Sequence, residues 1–365
     1  MGEEAALPTS PKSLGFQFPA EFEPHSATWL LWPERGDTWR EDARPAEEVF
    51  AVFAGLIAEV EPVRIGVSPE RHSRARALLS SSIELVELSY NDAWVRDTGP
   101  TIIKAENGER LAVDWSFNAW GGEVHGLYQN WQEDDRVAGR IAAFEDVETF
   151  RSPLIQEGGG LHSDGAGTLF VTEECVLSSG RNKALGKSEA ERHLLEATGC
   201  EQVIWLPDGV WQDETTGHVD NLLHVPAPGL VMLTWSDDES DPQYPRSKAA
   251  LKVLQKARTT SGEPFDIRLL PHPHSQPILP QEAVGFAPST DGVARQEGDP
   301  VAASYANFYL CNGRVIVPLI DERTDEAALT VIADALPDRE IRTLPAREIL
   351  LGGGGLHCIT QQIPA

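Results

Sequence analysis

Apolar residues fall on two periods along this chain, one helical and one extended. In AEEVFAVFAGLIAEV (Ala46–Val60) they return at helical spacing, and VRIGV directly after it predicts a strand. PERHSRARALLS and IELVELS predict a second helix and strand, and WQEDDRVAGRIAAF a third helix. SEAERHLLEATG (Ser188–Gly199) has a capping-box pattern in Ser188 and Glu191 and a stop at Gly199, so both ends of that helix are marked. QVIWLP, GLVMLTW, NFYLCNG and GRVIVPLI predict strands; YPRSKAALKVLQKA and TDEAALTVIADALP predict helices. A helix flanked by strands therefore recurs, without a repeat at the level of letters. No glycine-rich dinucleotide fingerprint stands at the first strand–helix junction. The proline-rich PHPHSQPILP (Pro271–Pro280) is too short for a boundary. The expectation is a single α/β domain over residues 1–365, with a flexible start over 1–14.

Composition narrows the class. At 41% apolar the chain can bury a sizeable core, which argues against disorder. No apolar run reaches the roughly 18 residues of a membrane span. The first residues carry Glu3 and Glu4 and no secretion pattern, so the expected compartment is the cytoplasm. The formal charge is −27, and only 7 of the 30 basic residues are lysine. Such a surface disfavours nucleic acid and anionic membranes as partners. It fits a solvated acidic shell, as in a high-salt environment. The four cysteines, Cys175, Cys200, Cys311 and Cys358, include no C-x-x-C pair and are expected reduced. Cys175 and Cys311 sit in strand-like apolar runs that suit packing, and Cys200 follows a helix end. Cys358 alone stands beside glycines and a histidine, in GGGGLHC.

Polar residues concentrate in five clusters: NDAWVRDTGP, QEGGGLHSDGAGT, DETTGHVDN, YANFYLCNG and ILLGGGGLHCITQQIP. Singly each has a plain structural explanation; an Asp before Thr-Gly-Pro is usually a turn residue. His218 and Asp220 are two apart, which on a strand would put both on one face. Jointly the clusters offer a thiol, a histidine to move its proton and several carboxylates. Carboxylates would repel a thiolate unless a cation enters with the substrate. A guanidinium pairs with them in a fork, so the set fits attack on a guanidinium carbon better than attack on a peptide.

The ordered segments FEPHSATWLLWP, NDAWVRDTGP, EGGGLHSDGAGT with TEECVLSSGRN, GHVDN, YANFYLCNGRVIVP and GGGGLHCITQQIP run from residue 22 to 364. On these the chain resembles the agmatine deiminases (agmatine iminohydrolases) of the bacterial peptidylarginine deiminase family of guanidine-modifying enzymes. The resemblance implies a five-bladed α/β propeller, the pentein fold, with pseudo-fivefold symmetry and a central site. It implies Cys358 as nucleophile, His218 as general acid and base, Asp97 and Asp220 as carboxylates that grip the guanidinium, and Glu157 as the acid that orients the histidine. Trp94 would lie along the aliphatic stem, Glu214 would face a distal amine, and Asn307 would line the pocket. The implied reaction converts agmatine to N-carbamoylputrescine and ammonia through a covalent amidino-cysteine, with no metal or organic cofactor. The partner expected is a small cationic guanidine; the assembly expected is a homodimer, since homo-oligomers are common. The chain departs from the family pattern at Gly160, Ser163, Gly355, Leu356 and across Phe117–Tyr128, positions that bear on which guanidine is accepted.

Other readings stay open at this point. Peptidyl-arginine or free arginine would suit the same chemistry. A metal-dependent amidohydrolase would use His218, Asp220 and His224. A binding protein for cationic amines would keep the pocket without turnover.

Overall fold

A computed structural model describes residues 10–365, so most of the segment expected to be flexible lies outside the described residues. From residue 12 the chain is tied down. Lys12–Leu14 form a single turn, and Lys12 Nζ donates to the Cys200 carbonyl at 2.6 Å.

The strands assemble into five separate sheets, each of three or four strands. Every sheet contains the same unit. An antiparallel pair comes first, and a helix then carries the chain to a further strand parallel to the second. Thr101–Ala105 and Arg110–Ser116 pair this way before the helix Val137–Phe144 and the strand Glu148–Ile155. His162–Ser163 and Thr168–Thr172 are followed by Lys187–Thr198 and Gln202–Leu206. Leu223–Ala227 and Leu230–Trp235 are followed by Gln243–Leu254 and Asp266–Pro271. Tyr309–Cys311 and Arg314–Leu319 are followed by Asp325–Ala335 and Glu340–Pro345. The remaining unit joins the two chain ends. Gln361–Pro364 supplies the antiparallel strand to His25–Leu31, which continues through Arg44–Ala58 to Val63–Val67 and Glu84–Glu87.

Burial explains the elements. Phe50, Phe53, Ala54 and Ile57 return to one face of Arg44–Ala58 and are fully buried, and Phe50 packs edge-on against Trp32 and Trp39. The middle strands of the units are covered on both faces and therefore read as continuous apolar runs. Three sequence expectations need correction. The capping box of Ser188 and Glu191 does not form, because the helix starts one residue earlier, at Lys187; Glu191 instead accepts from Trp205 Nε1 at 2.7 Å. Cys175 lies on a short helical turn, Glu173–Val176, and not in a strand. The helix expected over residues 131–144 is α-helical only from Val137, because Asp134 is buried to accept the Asn91 amide at 2.7 Å. Among the described residues no helix is long and apolar enough to cross a membrane.

A short turn precedes the first strand of each unit, and these turns meet. They are Val95–Thr98, Gly158–Gly160, Val219–Leu222, Tyr305–Asn307 and the turn at residues 356–359. Hydrogen bonds link them in a ring. The Gly159 amide donates to Asp97 Oδ1 at 3.0 Å, His218 Nε2 lies 3.3 Å from Glu157 Oε2, and Asn307 Nδ2 donates to Asn221 Oδ1 at 3.0 Å. The His357 amide donates to Asn307 Oδ1 at 2.9 Å, and the Arg96 amide to the Cys358 carbonyl at 3.2 Å.

Candidate active site

Each turn of the ring delivers a polar side chain to the same buried centre. Asp97, Glu157, His218, Asp220, Asn307 and Cys358 are each no more than 4% exposed. His218 and Asp220 do not lie on a strand face as their spacing predicts. His218 caps the turn Val219–Leu222 and Asp220 lies within it, so the two side chains diverge around the centre. His218 turns toward Glu157 and Asp97, with Nδ1 3.7 Å from Asp97 Oδ1. Asp220 turns toward Cys358, its Oδ2 3.7 Å from Sγ, and toward His357 at 2.8 Å. Gly159 makes this convergence feasible. A methyl group on it would lie 2.7 Å from Asp97 Oδ1 and from His218 Nδ1, and 3.0 Å from Asp220 Oδ2.

The thiol is positioned by the glycine run. Cys358 Sγ is 3.3 Å from Asn307 Nδ2. A side chain at Gly354 would come within 2.6 Å of the Trp94 ring and 3.2 Å of Sγ. Trp94 itself is stacked on Trp39, with ring centroids 5.0 Å apart, and Trp39 is anchored through Nε1 to Asp92 at 2.7 Å. Trp94, Asp97, Glu214 and Cys358 line one slot, which offers only about 40 Å³ to the centre of a water molecule. Glu214 stands farther along it and accepts from Arg295 Nη1 at 3.0 Å.

Charge states follow from burial and partners. Burial first, then the Asp220 and Asp97 carboxylates, hold the Cys358 thiol well above its ordinary value. Burial opposes a charge on His218, but Asp97, Cys175 and Glu157 outweigh it and raise the imidazole well above its usual range. Burial lifts Asp97 to about 6; the imidazole of His218 pulls the other way, and Asp220 and Glu157 push the same way as burial. Glu157 is held low against burial, chiefly by Arg181, whose Nε is 2.9 Å from both carboxylate oxygens. Burial raises Glu214, with Arg295 opposing. These residues together give a charged imidazolium and a neutral thiol, and an entering cation would favour the thiolate.

Several participants were not singled out in the sequence. Arg181 holds Glu157, and Trp120 Nε1 donates to Asp97 Oδ2 at 2.9 Å. Asn221 holds Asn307, and Glu21 and His357 stand behind Asp220. His357 is the neighbour of Cys358, and Trp120 falls in the stretch that departs from the family pattern; those were the available signals. The metal alternative fails on geometry. His224 stacks on Phe308, its Nδ1 is 3.1 Å from the Ala306 carbonyl and its Nε2 3.6 Å from Glu21, so it does not join His218 and Asp220. Two other sets, Glu21–His224–His357 and Glu157–Cys175–His218, are close enough to share an ion. In each set the carboxylate is already engaged, Glu21 with His357 and Glu157 with Arg181.

Comparisons with known proteins converge on one family. The model of the Porphyromonas-type peptidyl-arginine deiminases matches residues 17–364. A Vibrio parahaemolyticus protein named as a candidate agmatine deiminase is 51% identical over 98% of this chain and 99% of its own length. A Latilactobacillus sakei protein of the same name is 48% identical over 98% of this chain and 99% of its own. Among solved structures, the agmatine deiminase of Enterococcus faecalis, described as catalysing its reaction, superposes with a TM-score of 0.95 at 38% identity over 98% of each chain.

Proposed function

Since the chain belongs to the Porphyromonas-type peptidyl-arginine deiminase family, it is a hydrolase of guanidino carbon–nitrogen bonds, and we propose that its substrate is agmatine. One observation carries the reading. Among the described residues, the buried atoms Asp220 Oδ1 and His218 Nδ1 have no hydrogen-bond partner, while Asp220 Oδ2 stands 3.7 Å from Cys358 Sγ and His218 Nδ1 3.7 Å from Asp97 Oδ1. A guanidinium supplies donors for the carboxylates and an electrophilic carbon for the thiol.

In this mechanism Asp97 and Asp220 hold the guanidinium, whose charge favours the Cys358 thiolate. Sγ attacks the central carbon. The His218 imidazolium gives its proton to one amino group, which leaves as ammonia, and an amidino-cysteine remains. Neutral His218 then takes a proton from water as the oxygen attacks that carbon. The carbon–sulfur bond breaks, the hydroxyl proton is released, and N-carbamoylputrescine departs. The five sheets are, on this reading, the blades of a five-bladed α/β propeller, and the ring of turns lies on its axis.

The dimensions favour a slim free amine over peptidyl-arginine. The slot is narrow, and Trp94 can lie along an alkyl stem. Arg35 and Arg295, which also line it, are already paired with Asp37 and Glu214, which disfavours the α-carboxylate of free arginine. Glu214 is the candidate for the distal amine, in exchange for Arg295. Four free thiols suit a reducing compartment such as the cytoplasm. The charge of −27 disfavours nucleic acid and anionic membranes, and a homodimer is the assembly we propose. Ammonia release from agmatine, free arginine and a blocked arginine peptide, with a Cys358→Ala control, tests the proposal. Release from agmatine, abolished by the substitution, is expected. Release from the peptide alone would transfer the activity to peptidyl-arginine.

A further inference from the structure

We infer that His357 is a positioning residue of this site: its ring, clamped between Glu21 and Asp220, holds Asp220 as a carboxylate in place beside Cys358, where it can grip the guanidinium. The inference rests on the reading of Asp220 as a guanidinium-binding carboxylate.

The geometry fixes the protonation state. His357 Nδ1 is 2.8 Å from Asp220 Oδ2 and its Nε2 is 2.6 Å from Glu21 Oε2. A neutral imidazole donates from one nitrogen only, whereas two carboxylate acceptors require both nitrogens to carry hydrogen. The ring is thus an imidazolium between two carboxylates, buried at 1% exposure. Its backbone cannot drift. The His357 amide is bound by Asn307 Oδ1 at 2.9 Å, and its carbonyl accepts from Arg96 Nε at 3.3 Å.

The other groups that face the ring leave the charge there. Arg96 Nη2 lies 3.5 Å from Glu21 Oε2 and shares that carboxylate. His162 and His224 pack edge-on at 5.9 and 5.5 Å, and burial keeps both neutral, His162 down to about 3 and His224 well below its usual range. Burial and Arg96 oppose the charge on His357, but Glu21 and Asp220 prevail and raise it.

The consequence reaches the reacting atoms through Asp220. His357 holds Oδ2, the oxygen that lies 3.7 Å from Cys358 Sγ, so the clamp fixes the carboxylate beside the thiol; Oδ1 is left buried without a partner. The same pairing holds the Asp220 carboxyl low against burial, whereas Asp97, which has no such clamp, sits at about 6. Without the imidazolium, burial would raise the Asp220 carboxyl and weaken its grip on a guanidinium.

The test compares His357→Asn with His357→Gln in the full chain. Both remove the imidazolium. Asparagine puts its amide nitrogen near the position of Nδ1 and keeps a donor for Asp220; glutamine puts it near Nε2 and does not. With agmatine, the glutamine variant is expected to raise KM roughly tenfold or more, the size of a lost charged hydrogen bond. It should also move the acid limb of kcat/KM to higher pH. The asparagine variant should raise KM less. Equal KM values and unmoved limbs, with only melting temperatures lowered, would mean a purely structural residue and overturn the inference. Should both variants fail to fold, the isosteric Glu21→Gln answers instead: an upward move of the acid limb supports the clamp, and an unmoved limb overturns it. An NMR titration of the His357 ring separates this from the substrate question. Two ring N–H groups persisting at pH 8 are expected even if no guanidine is turned over, and a neutral ring would overturn the inference with the deiminase reading intact.

Discussion

On the proposed mechanism, Asp97 is the residue on which pH dependence turns. Its carboxyl is raised to about 6 because burial and the nearby Asp220 and Glu157 charges oppose ionisation, while His218 and the Trp120 indole favour it. A carboxyl raised in the folded state stabilises that state at low pH, and this contribution is lost as pH rises through about 6. If Asp97 grips the guanidinium as proposed, binding needs its ionised form, so kcat/KM should rise with pH across the same range. Trp120→Phe keeps the ring that packs edge-on against Phe117 and Tyr128 and removes only the donor to Asp97. The loss of one hydrogen bond to a charge should move that limb up by about one pH unit. A pH profile of kcat/KM with an unmoved limb would show that another group sets it. The Trp120 contact was invisible in the sequence because it joins a loop to a turn across 23 positions, with no motif to mark it.

At the scale of elements, helices and strands were legible wherever one face or both faces are buried. Arg44–Ala58 shows its apolar stripe, and Leu230–Trp235 shows the unbroken run of a covered strand. The turns that carry the candidate site residues were not. His218 and Asp220 fitted a strand by spacing, but a strand would point both one way, whereas the turn sends one to Glu157 and the other to His357. The capping box at Ser188 was a local signal overridden by a helix start fixed elsewhere. The glycines before Cys358 were legible as close approach, and the structure says to what: Gly354 faces Trp94 and Cys358. Gly354→Ala forces one of them to move, at a cost of about 1–3 kcal/mol if the fold absorbs the strain. Ammonia release should fall tenfold or more, because reacting groups displaced by about 1 Å can lose up to ~100-fold. Wild-type turnover in a variant of lowered melting temperature would mean that the glycine serves stability alone.

At the scale of the whole molecule, the site exists because the five units place their first turns in one ring, and Gln361–Pro364 completes the unit begun by His25–Leu31. The alternation of elements was legible, but the ring was not, since its contacts join residues as distant as Glu21 and His357, separated by 336 positions. The acidic charge disfavours polyanionic partners and does not point to a substrate. On the proposed mechanism, this convergence makes Cys358 a nucleophile toward a guanidinium carbon. The most direct measurement is the intact mass of the protein quenched in acid during turnover of agmatine, followed by peptide mapping. An adduct on Cys358 with the mass of agmatine less ammonia, absent from Cys358→Ala, is expected. Steady ammonia release with no adduct at Cys358, under conditions that capture other thiol intermediates, would contradict it.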